Sequence, residues 1–185
     1  MYKGPNRKFE KKQQQRFGDR RGGNRRMSGF GTQLLEKQRL RFVYGIREKV
    51  MKNYFAAASR EGGDVVQAFR GLLERRLDNV VYRLGFASTR SQARQVVNHG
   101  HIFVNGRRIN IPAHRVQPGD VVMIRTQSQN KGVFQPIKTT IKKHTPPAWM
   151  KLDADALSGT VVRIPSSQDV QDPINISLVV EFYSR

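Results

Sequence analysis

The chain contains no cysteine, which excludes disulfide bridges, thiolate zinc sites and cysteine nucleophiles together. Stability must come from packing and from a partner, and the redox compartment is not readable. Acidic side chains are scarce as well: 14 Asp plus Glu face 34 Lys plus Arg, a formal charge of +20 with a pI near 11.2. Ordinary surfaces intersperse both signs. An excess of this size opposes compaction unless a polyanion neutralises it, so nucleic acid is the expected partner. No run approaches the ~18 apolar residues of a membrane span. No basic helix face opposes a bulky apolar one and no lipidation signal accompanies a basic patch, so no membrane role is expected. Met1-Tyr2-Lys3-Gly4-Pro5 lacks the apolar stretch of a secretory signal, and the protein is expected to stay on the side where it is made.

Catalytic signatures are also missing. There is no Gly-rich phosphate loop ending in Gly-Lys-Ser/Thr, no nucleophile elbow, no dinucleotide fingerprint and no paired carboxylates, so neither an enzyme nor a cofactor is expected. His99 and His101 could share a metal. With four histidines in all and no acidic cluster beside them, the ligands are too few for a coordination shell. Both border a hairpin and are read as packing or RNA-contact residues, leaving no metal or catalytic residue.

What is present, 185 residues of which 37% are hydrophobic, suits one or two small domains with modest cores. Residues 1–30 hold ten Lys or Arg against Glu10 and Asp19, with no apolar periodicity. Such a composition fits an arm that orders on RNA, a plain tail or a localisation signal, and RNA contact is the preferred reading. Between residues 32 and 58, Leu34, Leu35, Leu40, Val43, Ile46, Val50 and Tyr54 recur at three- to four-residue steps, predicting one or two helices with a break near Gly45. Glu61-Gly62-Gly63-Asp64 reads as a stop and a restart, with Asp64 capping a new helix that runs through Leu84. On that helix Leu73, Leu77, Val80, Val81 and Leu84 share a face, while Arg76, Asn79 and Arg83 form the neighbouring stripe. Gly85 supplies its stop.

Thr89 to Gln92 fits a capping box, the Thr hydroxyl taking a backbone N–H and the Gln reaching back to the cap. The helix beginning there buries Ala93, Val96 and Val97, sets Arg90, Arg94 and Asn98 along one side, and ends at Gly100. Asn105-Gly106, between Ile102-Phe103-Val104 and residues 107–111, predicts a hairpin with the mirror-image turn. Pro118-Gly119-Asp120 predicts a turn before a strand over 121–124. The alternation of Ile174, Ile176, Leu178, Val180 and Phe182 predicts a further strand, and the class is α+β. Residues 76–108 carry the Arg, Ser, Thr and Asn side chains that suit a phosphate backbone. Ser88-Thr89-Arg90-Ser91 falls at a helix start that favours an anion, although ordinary capping accounts for Ser88 and Thr89 equally well.

The run Glu74-Arg75-Arg76-Leu77-Asp78-Asn79-Val80-Val81-Tyr82-Arg83-Leu84-Gly85-Phe86-Ala87-Ser88-Thr89-Arg90 resembles the ribosomal small-subunit protein S-four family. So do Gln92-Ala93-Arg94-Gln95, His99-Gly100-His101, Val104-Asn105-Gly106-Arg107-Arg108 and the ending Val180-Glu181-Phe182-Tyr183-Ser184-Arg185. The module over 76–124 also resembles RNA-binding domains of pseudouridine synthases and tyrosyl-tRNA synthetases. Leu35-Glu36-Lys37-Gln38 and Tyr44-Gly45 lie outside it and favour the ribosomal family.

The resemblance implies a mainly helical first domain, residues 31–73 completed by 163–185. It implies an inserted RNA-binding domain over 74–162, with short helices, a small twisted β-sheet and its core at about 76–124, after a basic N-terminal arm, 1–30, ordered on rRNA. It implies a structural constituent of the small ribosomal subunit, in a cytoplasmic ribosome or an organellar one, that binds small-subunit rRNA and nucleates assembly. Contact with protein S-five would influence decoding accuracy, with protein S-three and the channel by which mRNA enters nearby. The alternative is a stand-alone RNA-binding regulator or an RNA-modification factor. The residues expected to bind RNA are Arg25, Arg26, Arg76, Asn79, Arg83, Ser88, Thr89, Arg90, Ser91, Arg94, Gln95, His99, Asn105, Arg107 and Arg108. Replacing Arg83, Arg90 and Arg94 by Ala is expected to weaken RNA binding and leave the fold intact. Relative to the family, the segment between Gly4-Pro5 and Arg25 is shortened, the cysteine knuckle of some members is missing, and Leu35 stands where many members carry a basic residue.

Overall fold

The computed structural model describes residues 28–170 and 174–185. The arm, with Arg25 and Arg26, lies outside them. Seven α-helices and one five-stranded antiparallel sheet are present among the described residues, an α+β fold.

Helix α1, Gly29–Tyr44, starts under the Ser28 hydroxyl, which accepts from Gly31 N–H at 3.2 Å. It stops where Gly45 takes the left-handed conformation, φ 59°, the break expected there. Helix α2, Glu48–Glu61, ends at Gly62-Gly63, and Asp64 restarts the chain as α3, Val65–Glu74, its carboxylate accepting from Val66 and Gln67 N–H at 2.9 and 3.2 Å.

The helix expected to continue through Leu84 is in fact two. Arg76 is extended, φ −65° and ψ 136°, before α4, Leu77–Arg83. The cause is tertiary: residues 112–116 run alongside and take the backbone groups at the junction. Leu77 and Asp78 N–H donate to His114 and Pro112 carbonyls at 2.9 and 3.1 Å, and Val116 N–H donates to Arg75 at 2.9 Å. The kink sends the apolar stripe into two cores. Phe69, Leu72 and Leu73 join Leu40, Tyr44, Met51 and Tyr54 in the first, whereas Leu77, Val80, Val81 and Leu84 join the second.

The second core lies between α4, helix α5 (Arg90–Asn98) and the sheet. Strands β1 (Ile102–Val104), β2 (Arg107–Ile109), β3 (Val121–Ile124), β4 (Met150–Asp153) and β5 (Ser158–Val161) are ordered β2-β1-β3-β5-β4. Val104 pairs with Arg107 across the turn. Asn105 and Gly106 have φ of 50° and 76°, the expected mirror-image geometry that matches strand twist. Helix α4 rests on β5 where Gly159 has no side chain, since a Cβ there would stand 2.3 Å from Leu84 Cδ2. A short helix α6, Gln135–Thr140, adds Ile137 to this core beside buried Phe134 and Trp149.

The tail corrects the expectation of a strand. Residues Ile176–Tyr183 form helix α7, capped by Asn175. Alternation was one of two patterns in that stretch. Ile176, Val179, Val180 and Tyr183 also recur at helical steps, and these are the residues that face the first core. Tyr183 donates to Glu48 Oε1 at 2.7 Å, and Gln33 Nε2 donates to Glu181 at 3.0 Å. The C-terminal segment thereby completes the core begun by α1–α3.

Candidate nucleic-acid interface

Two acids in a basic sequence organise the region expected to contact RNA. Glu74, the last residue of α3, and Asp78, in the first turn of α4, are buried at the junction between the cores. Arg83 donates to Glu74 through Nε and Nη2 at 3.1 and 3.0 Å, Asn79 Nδ2 donates to the same carboxylate at 2.9 Å, and Tyr44 OH donates to it from α1. Asp78 takes Arg76 as a two-pronged pair at 3.0 and 2.8 Å and takes Arg94 Nε and Nη2 at 3.0 and 2.8 Å. Arg94 reaches further, to the carbonyls of Gly45 and Tyr44 at 2.6 and 2.9 Å. Arg90 donates to Asn79 Oδ1 at 2.9 Å and lies over the rings of Tyr44 and Tyr82, 4.8 and 4.6 Å from their centroids. Buried ion pairs of this kind hold when every prong is used. Burial pulls the Arg76 guanidinium down, but its hydrogen bonds to Asp78, that carboxylate's charge and Tyr54 outweigh this and hold it above its usual value.

The stripe Arg76, Asn79 and Arg83 is therefore not the open surface that helical spacing suggested. Arg76 and Asn79 are buried, and Arg83 is half-buried with its guanidinium on Glu74. Arg90 and Arg94 are also half-buried. Charge along a helix shows where cations are, not which anion neutralises them. The missed residues are Glu74 and Asp78, whose signal was their spacing of one helical turn within a run dominated by arginine.

The remaining residues expected to bind RNA that lie within the described chain form a solvent-facing surface. Ser88, Thr89, Ser91, Gln95, His99, Asn105, Arg107 and Arg108 are exposed. Thr89 Oγ1 accepts from Gln92 N–H at 3.1 Å, as a cap should, but Gln92 Oε1 reaches Ser88 N–H at 2.8 Å, one residue short of the expected partner. Asn105 clasps the hairpin, donating to Asp120 at 2.7 Å and accepting from Val121 N–H at 2.9 Å. Arg107 makes no hydrogen bond or ion pair with any described residue, and Arg108 lies against the His99 carbonyl at 3.4 Å.

Beside them His101 meets Ser128 Oγ at 3.0 Å and stands edge-on to Phe134. Its pKa is lowered by burial and then by the charges of Lys131, His99, Arg108 and Arg125. Those cations gather on one patch. Sequence spacing does not single out Arg125 and Lys131, because only the pairing of β1 with β3 brings them to His101, through the bond from Arg125 N–H to the His101 carbonyl at 2.9 Å. Among the described residues no group of three His, Cys, Asp or Glu could hold a metal, and no helix is long and apolar enough to cross a membrane.

Comparison with known proteins finds two family matches along the chain. Residues 2–74 match the family described as "Ribosomal protein S4/S9 N-terminal domain", and residues 75–122 match "S4 domain". "Small ribosomal subunit protein uS4" of Chloroflexus aurantiacus is 50% identical over 163 residues, covering 87% of this chain and 79% of its own length. The protein of that name from Persephonella marina is 48% identical over 160 residues, 86% of this chain and 78% of its own. That from Thermus thermophilus is 47% identical over 161 residues, 87% of this chain and 77% of its own. Identity at this level, spread across both cores, means that the chain belongs to the small ribosomal subunit protein uS4 family.

Proposed function

We propose that the protein is a structural constituent of the small ribosomal subunit, binding small-subunit rRNA and performing no catalysis. The observation that carries this reading is the basic face of α5, the β1–β2 hairpin and the turn after β3, built on two cores pinned together through Glu74 and Asp78. A phosphate backbone is held by cations and hydroxyls on a rigid surface, and folded RNA is read chiefly by shape. Ser88, Thr89, Ser91, Gln95, His99, Arg107 and Arg108 make direct contacts, the half-buried Arg83, Arg90 and Arg94 add positive charge beside them, and Arg76, Asn79 and Asn105 position them. Arg25 and Arg26 act from the arm.

Two domains follow the two cores, residues 31–73 with 163–185 and residues 74–162. Family membership supports extending the reading to early rRNA binding that nucleates assembly. It also supports a contact with protein S-five bearing on decoding accuracy, and a place beside protein S-three where mRNA enters, in the cytoplasmic ribosome. Gradient fractionation of lysate at rising salt tests it. Stoichiometric retention on the small subunit is expected, and substoichiometric binding that washes off would overturn it in favour of a stand-alone regulator or modification factor.

A further inference from the structure

An open cleft of ≈ 820 Å³ lies between the α4–α5 loop and residues 140–148, within the ~300–1,000 Å³ range of small-ligand sites. Arg83 and Ser88 line one wall, and Lys143, His144, Pro146 and Pro147 the other. We infer that this cleft holds one unstacked ribonucleotide of the bound RNA, a reading that rests on the rRNA-binding role proposed above and adds a specific subsite to it.

His144 Nε2 lies 2.8 Å from the carbonyl oxygen of Arg83. A carbonyl only accepts, so Nε2 carries a proton, and in the tautomer this bond selects Nδ1 is the nitrogen with the lone pair. Nδ1 has no hydrogen bond to any described residue. An acceptor on a residue lining a cationic cleft selects a donor attached to a phosphate chain, and the ribose 2′-hydroxyl is the group that RNA has and DNA lacks.

The neighbours complete the match. Lys143 is exposed and forms no ion pair with a described residue, leaving its charge for a phosphate. Pro146-Pro147 offers a stiff apolar surface for a base face. Tyr82 also borders the cleft, but Arg90 already covers one of its faces. Among the described residues the one carboxylate in the lining, Asp169, does not repel the phosphate, because Arg163 takes its two oxygens at 2.6 Å each and Ser166 donates to it as well.

The test uses the full chain and small-subunit rRNA. Ultraviolet crosslinking read by mass spectrometry should place one nucleotide on the peptide carrying residues 143–147. Rebuilding the RNA with a 2′-deoxy sugar at that nucleotide should weaken binding roughly 2- to 10-fold, the equivalent of one hydrogen bond. That penalty should vanish in His144→Phe. Lys143→Ala, which removes no side-chain hydrogen bond or ion pair to a described residue, should reduce the slope of log K against log salt by ~0.7–0.9. The inference is overturned if the protein binds the rRNA but this peptide does not crosslink, or if the deoxy sugar and Lys143→Ala are without effect. A wild-type chain that fails to bind the rRNA at all overturns the broader reading instead.

Discussion

Asp78 holds Arg94 across the gap between two helices, its Oδ2 accepting from Nε at 3.0 Å and from Nη2 at 2.8 Å. The same guanidinium bonds the end of α1 at Tyr44 and Gly45, so one carboxylate fixes an arginine that joins both cores. Glu74 does the same for Arg83 and, through Tyr44 OH, for α1. In a chain with an excess of +20, these two acids commit part of the charge of Arg76, Arg83 and Arg94 to architecture.

Asp78→Asn keeps the side chain's shape but leaves the buried Arg76 and the half-buried Arg94 without their anion. A buried pair broken from one side costs ~3–5 kcal/mol. Urea unfolding at neutral pH should show a loss of that order, and Glu74→Gln should behave alike. A loss within ~0.5 kcal/mol, the range of ordinary surface changes, would mean that the network does not hold the junction.

The arginines separate into two groups that one pair of measurements distinguishes. Arg107→Ala and Arg108→Ala should weaken rRNA binding, lowering the salt slope by ~0.7–0.9 per phosphate contact removed, with unfolding midpoints unchanged. Arg83→Ala and Arg94→Ala should lower stability as well as affinity, correcting the expectation from sequence that such changes spare the fold. Equal stability in both groups would contradict the assignment.

Tyr183→Phe removes the bond from α7 to Glu48 and should cost about 1 kcal/mol at pH 7. Burial tends to raise the Glu48 pKa, but the bonds from Tyr183 and Lys37 outweigh it and hold the carboxyl below its usual range. A carboxylate lowered on folding stabilises fully above its ordinary value of ~4.3, and this contribution is lost as pH falls through the lower folded value. The stability gap between wild type and variant should therefore shrink below pH ~4. Denaturant unfolding across acid pH checks this, and a gap that stays constant would rule out the linkage.

Gly159→Val should destabilise by ~1–3 kcal/mol through overpacking, because the new Cβ would stand 2.3 Å from Leu84 Cδ2. Adding Leu84→Ala should recover part of the loss by making room. Thermal unfolding of the single and double variants tests the contact, and additivity of the two losses would show that α4 does not approach β5 this closely.

Much of the fold was legible because its signals are local. Asp64 and Thr89 cap helices through bonds to residues two or three away, and Asn105-Gly106 needs only its own backbone preference to turn. The α7 helix was not legible. Ile174 to Phe182 alternate while Ile176, Val179, Val180 and Tyr183 follow a helical step, and only the face offered by α1, α2 and α3 chooses between the two patterns. The break at Arg75-Arg76 was hidden for a similar reason, as the residues that cause it are 112–116.

By itself the sequence determined the polyanionic partner, the absence of cysteine chemistry, the caps and turns, and the family likeness, since each depends on residue type or on neighbours in the chain. Only the tertiary structure decided which arginines face water and which face Glu74 or Asp78, and it alone gathered Arg108, Arg125 and Lys131 around His101. The physical reason is that a cation's role depends on where the nearest anion and the nearest water lie. In this chain the anions that settle it reach the arginines from a different helix, as Glu74 reaches Arg83 and Asp78 reaches Arg94.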